Sequence, residues 1–238
     1  MPSSNAARTT GNLSVKAYEH IRRAVFSGEL SPGTRLVNRK LAESLGTSFI
    51  PVREAINRLV SEGVVEQVPG AGAFVRSFDR QEVSEIYDVR ELVEPFAAAE
   101  AARLINDHEL DELKALLSEW EALGKTIAVR EQGAISDDLD RWLTLNQRFH
   151  EIMIAASRNR FLAKTVNDAQ VLSRCFAAQR GMPSLLSRAL IRSTLKTHRA
   201  LLTALAGRDS SAAQKVVLEQ LRVGRKSVLG FHDQNKPR

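Results

Sequence analysis

The sequence predicts a mainly α protein: an N-terminal winged helix-turn-helix of three helices plus a small β-hairpin wing, then an antiparallel all-helical bundle of six or seven helices. Three observations predict it. Residues 35 to 76 hold two short helix signatures and two strand signatures, with basic side chains left on one side. From Gln81 onward the apolar residues keep a helical period that no strand-period segment interrupts. Brief breaks such as Asn106-Asp107, Arg158-Asn159, Gly181-Met182-Pro183 and Gly207-Arg208-Asp209 divide that second part into helix-length pieces.

Residues 1 to 12 are polar and are expected to form a disordered leader, and the winged domain is expected over 13 to 78, its first helix over 15 to 27. Asn38 opens the next helix with a side-chain oxygen suited to cap free amides. That helix runs through Leu41, Ala42 and Leu45 to Gly46, which can take a left-handed stop. Ser48 is the expected N-cap of the following helix, and Pro51 falls in its first turn, where no backbone amide is yet needed. Val52, Ile56 and Leu59 make its buried stripe and Gly63 ends it, which leaves Arg53 and Asn57 facing outward one turn apart. Strands over 64 to 68 and 73 to 76, on either side of Pro69-Gly70-Ala71-Gly72, add the wing. Such a unit places its second helix in a DNA major groove, although two unrelated amphipathic helices packed on a hairpin share the same apolar spacing.

Charge agrees weakly with a DNA partner. Residues 1 to 78 carry 10 Lys and Arg against 6 Asp and Glu, whereas residues 79 to 238 carry 24 against 22, so most of the whole-chain +6 sits in the smaller part. A chain of 238 residues with 43% apolar composition can build two substantial cores. The single cysteine, Cys175, excludes an internal disulfide framework, fits a reducing cytosol and is expected in the core. No stretch approaches roughly 18 apolar residues and no hydrophobic secretion segment opens the chain, so a soluble, cytoplasmic protein with no membrane partner is expected.

Helices of the second domain, expected over 79 to 231 with a disordered tail at 232 to 238, fall at about 81–105, 108–130, 135–157, 159–180, 184–206 and 209–229. Polar residues interrupt their apolar stripes. One inward line runs Leu139, Leu143, Asn146, His150, Met153; others run Ile191, Thr194, His198, Leu201 or Leu202, Leu205; Ala213, Val217, Gln220, Gly224; and Val83, Ile86, Arg90, Val93, Ala97. Burying Arg90, Asn146, His150, His198 and Gln220 costs several kcal/mol unless each is satisfied. Two arrangements satisfy them. Each can find a neighbouring carboxylate or carbonyl, Glu91 or Glu94 in the case of Arg90, or all five can line an effector pocket in which Arg90 pairs with a ligand carboxylate through two parallel hydrogen bonds.

The phrases SPGTRL, LAESLG, PVREAINRLVSEGVV and GAFV, in that order, resemble the signature of the GntR family of bacterial winged-helix repressors across about the first 76 residues. Position by position, the resemblance implies that Arg39 and Arg53 contact DNA, that Ser48 meets a backbone phosphate and that Gly72 marks the wing tip. Phe49 stands where the family usually has an arginine, so the operator is not expected to be the usual one. IYDVRELVEPFAAAEAA, NQRFHEIMIAASRN and THRALLTALAGRDSSAAQKVVLEQL resemble the FCD ligand-binding domain of the FadR-like branch, and six helices resemble its VanR-type subgroup.

Many FCD domains hold a divalent metal, zinc or similar, through an aspartate and three histidines. Here Asn146 stands at the aspartate, His150 and His198 match two histidines, and Gln220 falls at the third, so a metal set of Asn146, His150, His198 and Gln220 has lost its anion. No cofactor is certain. The resemblance implies a homodimer on a palindromic double-stranded operator, repressing until a small organic acid binds the bundle. An alternative is a helical metal-dependent enzyme carrying a DNA-targeting module; against it, the chain has no HExxH, no glycine-rich phosphate loop and no nucleophile elbow, and no enzyme is expected.

Overall fold

A computed structural model describes residues 4–130, 135–178 and 186–234. It divides into two compact units, Met1–Asp79 with Gln170–Met182, and Arg80–Ala169 with Pro183–Arg238. One unit passes into the other between Asp79 and Arg80, and the last part of the expected helix 159–180 groups with the first unit.

In the first unit, helix α1 (Ser4–Phe26) is followed by strand β1 (Arg35–Leu36), helices α2 (Asn38–Ser44) and α3 (Phe49–Ser61), and strands β2 (Val65–Val68) and β3 (Gly72–Val75). Residues 4 to 12 are helical rather than a disordered leader. The buried face of Ala17, Ile21, Ala24 and Val25 anchors α1, and adding turns to a nucleated helix costs far less than starting one. The wing has a third strand. β1 pairs antiparallel with β3, Arg35 opposite Phe74 and Leu36 opposite Ala73, giving the order β1-β3-β2.

The buried core of this unit holds Ile21 of α1, Val52, Ile56 and Leu59, the last three being the stripe expected of α3, Val64 just before β2, and Val75 of β3. Tyr18 fastens α1 to the end of α3: its hydroxyl donates to Glu62 at 2.9 Å, and Arg58 stacks 3.8 Å over its ring. Gly63 holds φ +71° where α3 turns into the sheet, a conformation that costs a side-chain-bearing residue energy. Two caps differ from expectation. Val37 rather than Asn38 precedes α2, and Ser48, although at the N-cap of α3, makes no side-chain capping bond.

The second unit is a bundle of α4 (Arg80–Leu104), α5 (Asp107–Val129), α6 (Ser136–Ala156), α7 (Arg160–Ala178), α8 (Arg188–Ala206) and α9 (Ser210–Gln234), with the end of α7 belonging to the first unit. All six expected helices are present. The expected tail is helical as far as Gln234, and the expected Gly181-Met182-Pro183 break lies outside the described residues. Asn106 and Glu109 form a capping box at the start of α5, and the Ser187 side chain accepts from the Leu190 amide to start α8. Ala97, Ala98, Ala101 and Ala102 of α4 are fully buried, their small side chains allowing close helix packing. Arg225 of α9 ties back to α4 by donating to Asp88 at 2.7 Å and to the Ser84 hydroxyl at 2.7 Å.

The inward faces differ in detail from expectation. On α6 the buried line runs through Trp142, Leu145, Phe149 and Met153, so the stripe is rotated by about one residue and leaves Leu139, Leu143 and Asn146 half-buried beside it. An apolar stripe on a globular helix is wide, and either rotation satisfies the same spacing.

Candidate nucleic-acid interface and interior histidine pair

Five of the six residues expected to meet DNA line one groove of the first unit, about 520 Å³ in volume: Arg39, Phe49, Arg53, Asn57 and Gly72. Elements on three sides build it. α3 supplies Phe49, Arg53 and Asn57 at successive turns, four residues apart, which puts them on one face. α2 supplies Arg39, 87% exposed and held by Glu43 at 3.0 Å. The wing supplies Gly72 at φ +112°, with the guanidinium of Arg35 beside it.

Ser48 is exposed at the N-cap of α3 and does not line this groove. Its side chain makes no capping bond, which leaves the first-turn amides of α3 uncapped by it, and free amides at a helix start suit a phosphate. Phe49 is 47% exposed, and the Arg53 guanidinium lies 5.8 Å from its ring. Sequence reasoning missed Arg35 and Gln67, which also line the groove. The signal for Arg35 was its place in a two-residue strand, too short for any alternation to announce.

In the second unit the structure brings together His150 of α6 and His198 of α8. Their Nε2 atoms are 3.3 Å apart, and His198 Nδ1–H donates to the Thr194 carbonyl at 2.8 Å. That bond fixes the tautomer: His198 Nε2 is the acceptor, and His150 Nε2–H donates to it. Aromatic rings enclose the pair, with the centroids of Trp120 and Phe149 at 4.5 and 5.0 Å from His198. Burial first, and then the neighbouring His150, push the His198 pKa down to about 3, so the ring is neutral near pH 7.

Arg90 takes the internal partner. Its Nε donates to Glu94 at 2.5 Å, the carboxylate is 1% exposed, and the guanidinium stacks 5.0 Å from the Tyr87 ring. Burial alone lowers the Arg90 pKa, but the charge and hydrogen bond of Glu94 outweigh it and hold the group above its usual value. Of the two partners expected for Arg90, the internal one is in place: a glutamate one turn away on the same helix supplies an anion.

Asn146 and Gln220 are half-buried, and the Gln220 Oε1 is itself buried with no hydrogen-bond partner among the described residues. The Trp120 indole N–H, against His198, is in the same condition. Trp120 was absent from the expected constellation because a tryptophan in an apolar stripe looks like plain core. No group of three or more His, Cys, Asp or Glu suited to a metal exists among the described residues. Two imidazoles and two neutral amides, without a carboxylate, do not fit a divalent-metal centre.

Comparison with known proteins agrees with both units. The FCD domain model matches residues 85–222, more than half the chain, and the model for bacterial regulatory proteins of the gntR family matches residues 13–75. The chain belongs to the GntR family and carries an FCD domain. It is thus a DNA-binding regulator with a helical second domain. An uncharacterized HTH-type transcriptional regulator of Bacillus subtilis, YdhC, is 31% identical over 145 residues, and the match covers only 61% of either chain. The gluconate operon transcriptional repressor of Bacillus licheniformis is 28% identical over 156 residues, 66% of this chain and 60% of that one. Among solved structures, Escherichia coli McbR/YncC superposes with a TM-score of 0.77 at 23% identity, covering 94% of this chain and 99% of the other, which shows a shared fold.

Proposed function

We propose that this GntR-family protein is a repressor that binds a palindromic operator as a homodimer and changes its operator affinity when a small carboxylated metabolite enters the FCD bundle. The observation that carries the DNA half is the gathering of Arg39, Phe49, Arg53, Asn57 and Gly72 on one groove. Arg53 has the planar fork that bonds two acceptors on a guanine edge, while Arg39 and the first-turn amides of α3 suit phosphates. A regulator of this kind acts where the chromosome is, which supports a cytoplasmic location, and it needs no catalytic chemistry.

A homodimer is supported by α4. Val89, Leu92 and Phe96 form one stripe along it and are 42%, 76% and 50% exposed, an arrangement a second copy can cover.

The effector half is supported by unspent hydrogen-bonding capacity inside the bundle, at Gln220 Oε1 and at the Trp120 indole N–H, whose ring lies against the neutral His198. With Arg90 already paired, ligand oxygens fall to Trp120, His150, His198, Asn146 and Gln220. Any effector must bind one arrangement of the DNA-binding heads better than the other, because equal affinity for both shifts nothing.

A band-shift assay on the DNA flanking the protein's own gene tests the reading. It should show a specific complex that weakens steeply with salt and responds to one of a panel of organic acids. No specific shift at any salt concentration overturns it.

A further inference from the structure

We infer that Phe49 reads the 5-methyl group of a thymine within one or two base steps of the guanine contacted by Arg53; this rests on the DNA-binding reading above. Phe49 is the first residue of α3 and lies on the groove face that carries Arg53 and Asn57. N-terminal residues of a recognition helix are the ones that reach base edges. A phenylalanine there has no donor or acceptor for a base edge or a phosphate. Its 47% exposure, with the Arg53 guanidinium at 5.8 Å as a ring contact, leaves a large apolar surface in water in the free protein.

The major groove offers one prominent apolar feature, the thymine methyl. Placed against it, Phe49 turns an exposed ring into a discriminating contact. The spacing then fixes where the thymine lies. Residues 49 and 53 are one helical turn apart, about 6 Å along the helix, and stacked bases are about 3.4 Å apart, so the two side chains reach bases one or two steps from each other. The stacking of Arg53 on Phe49 holds the two as one reading edge.

The test begins by enriching binding sites for the full-length protein from a random-sequence duplex pool. Thymines of the enriched site are then replaced one at a time by deoxyuridine, which removes the methyl and nothing else. One such replacement per half-site, within two steps of a guanine, should weaken binding about fourfold, the value of one buried methyl-sized group. In Phe49→Ala the thymine-over-uracil preference should vanish while the protein still binds DNA and keeps its thermal midpoint; Phe49→Leu should retain part of it. If sites are enriched but every deoxyuridine is silent, or the preference persists in Phe49→Ala, the inference fails and the DNA-binding reading stands. Enrichment of no sequence overturns both.

Discussion

His198 Nε2 accepts a hydrogen bond from His150 Nε2–H at 3.3 Å, inside a shell made by Trp120 and Phe149. Two imidazoles so close cannot both be charged, and burial keeps His198 in the neutral form.

Acid should destabilise the protein through His198. Its folded pKa is about 3 against an ordinary 6.5, so between those values the unfolded chain binds a proton that the folded chain does not. The contribution is intact above about pH 6.5 and declines as pH falls toward 3, by up to about 1.4 kcal/mol per pH unit. Urea midpoints measured at pH 7.5 and 5.0 should differ less in His198→Leu than in the wild type. An equal fall in both would show that the histidine is not held neutral.

Removing the Glu94 carboxylate should be costly. Glu94→Ala leaves Arg90, whose side chain is only 15% exposed, without its 2.5 Å partner, and breaking a buried pair in this way costs about 3 to 5 kcal/mol. Arg90→Met in the Glu94→Ala background should recover part of that, read as a double-mutant cycle by urea unfolding. Additive losses would show that the two residues do not couple.

The Arg90–Glu94 pair was visible in the sequence as a four-residue spacing, which is why an internal carboxylate could be named beside a ligand carboxylate. Most helix positions were equally visible, because apolar periodicity and glycines such as Gly63 mark them directly, but the polar first turns of α1 and the end of α9 were not. What the sequence hid follows from geometry that spacing does not encode. A one-residue rotation of α6 puts Leu145 rather than Asn146 on the buried face, and a two-residue strand such as β1 has no period at all. Nor does any linear pattern show that Trp120, on α5, meets His198, on α8.

Charge placed on the exposed α4 stripe should abolish dimerisation. Leu92 is 76% exposed in the chain alone and, in the proposed dimer, is buried between copies. Leu92→Glu should yield a folded monomer by sedimentation and weaken operator binding by more than tenfold, since a dimer gains from two half-sites and a monomer from one. A variant that sediments like the wild type would place the interface elsewhere.

Arg53→Ala should lose about 1 to 3 kcal/mol of discrimination at one base pair per half-site while keeping salt-dependent attraction to any duplex. Arg39→Ala should weaken binding to all sequences alike, because a phosphate contact carries no base identity. Competition band shifts with matched and single-mismatch duplexes separate the two. Unchanged operator choice in Arg53→Ala would show that another residue of the groove reads the base.

Gln220 offers the sharpest test of the bundle as a receptor. Its Oε1 is buried with no hydrogen-bond partner among the described residues, and such a group costs about 1 to 3 kcal/mol. Gln220→Leu, similar in size and without that oxygen, should leave the thermal midpoint of the free protein unchanged or raise it by a few degrees. If the glutamine serves a carboxylated effector, the same variant should lose the thermal shift that a panel of sugar acids and dicarboxylates produces in the wild type, with or without chelator. A chelator-sensitive shift in the wild type would mean that a metal carries the acid after all, despite the missing carboxylate. A shift retained in Gln220→Leu would remove this residue from the receptor and leave its buried oxygen a purely structural cost.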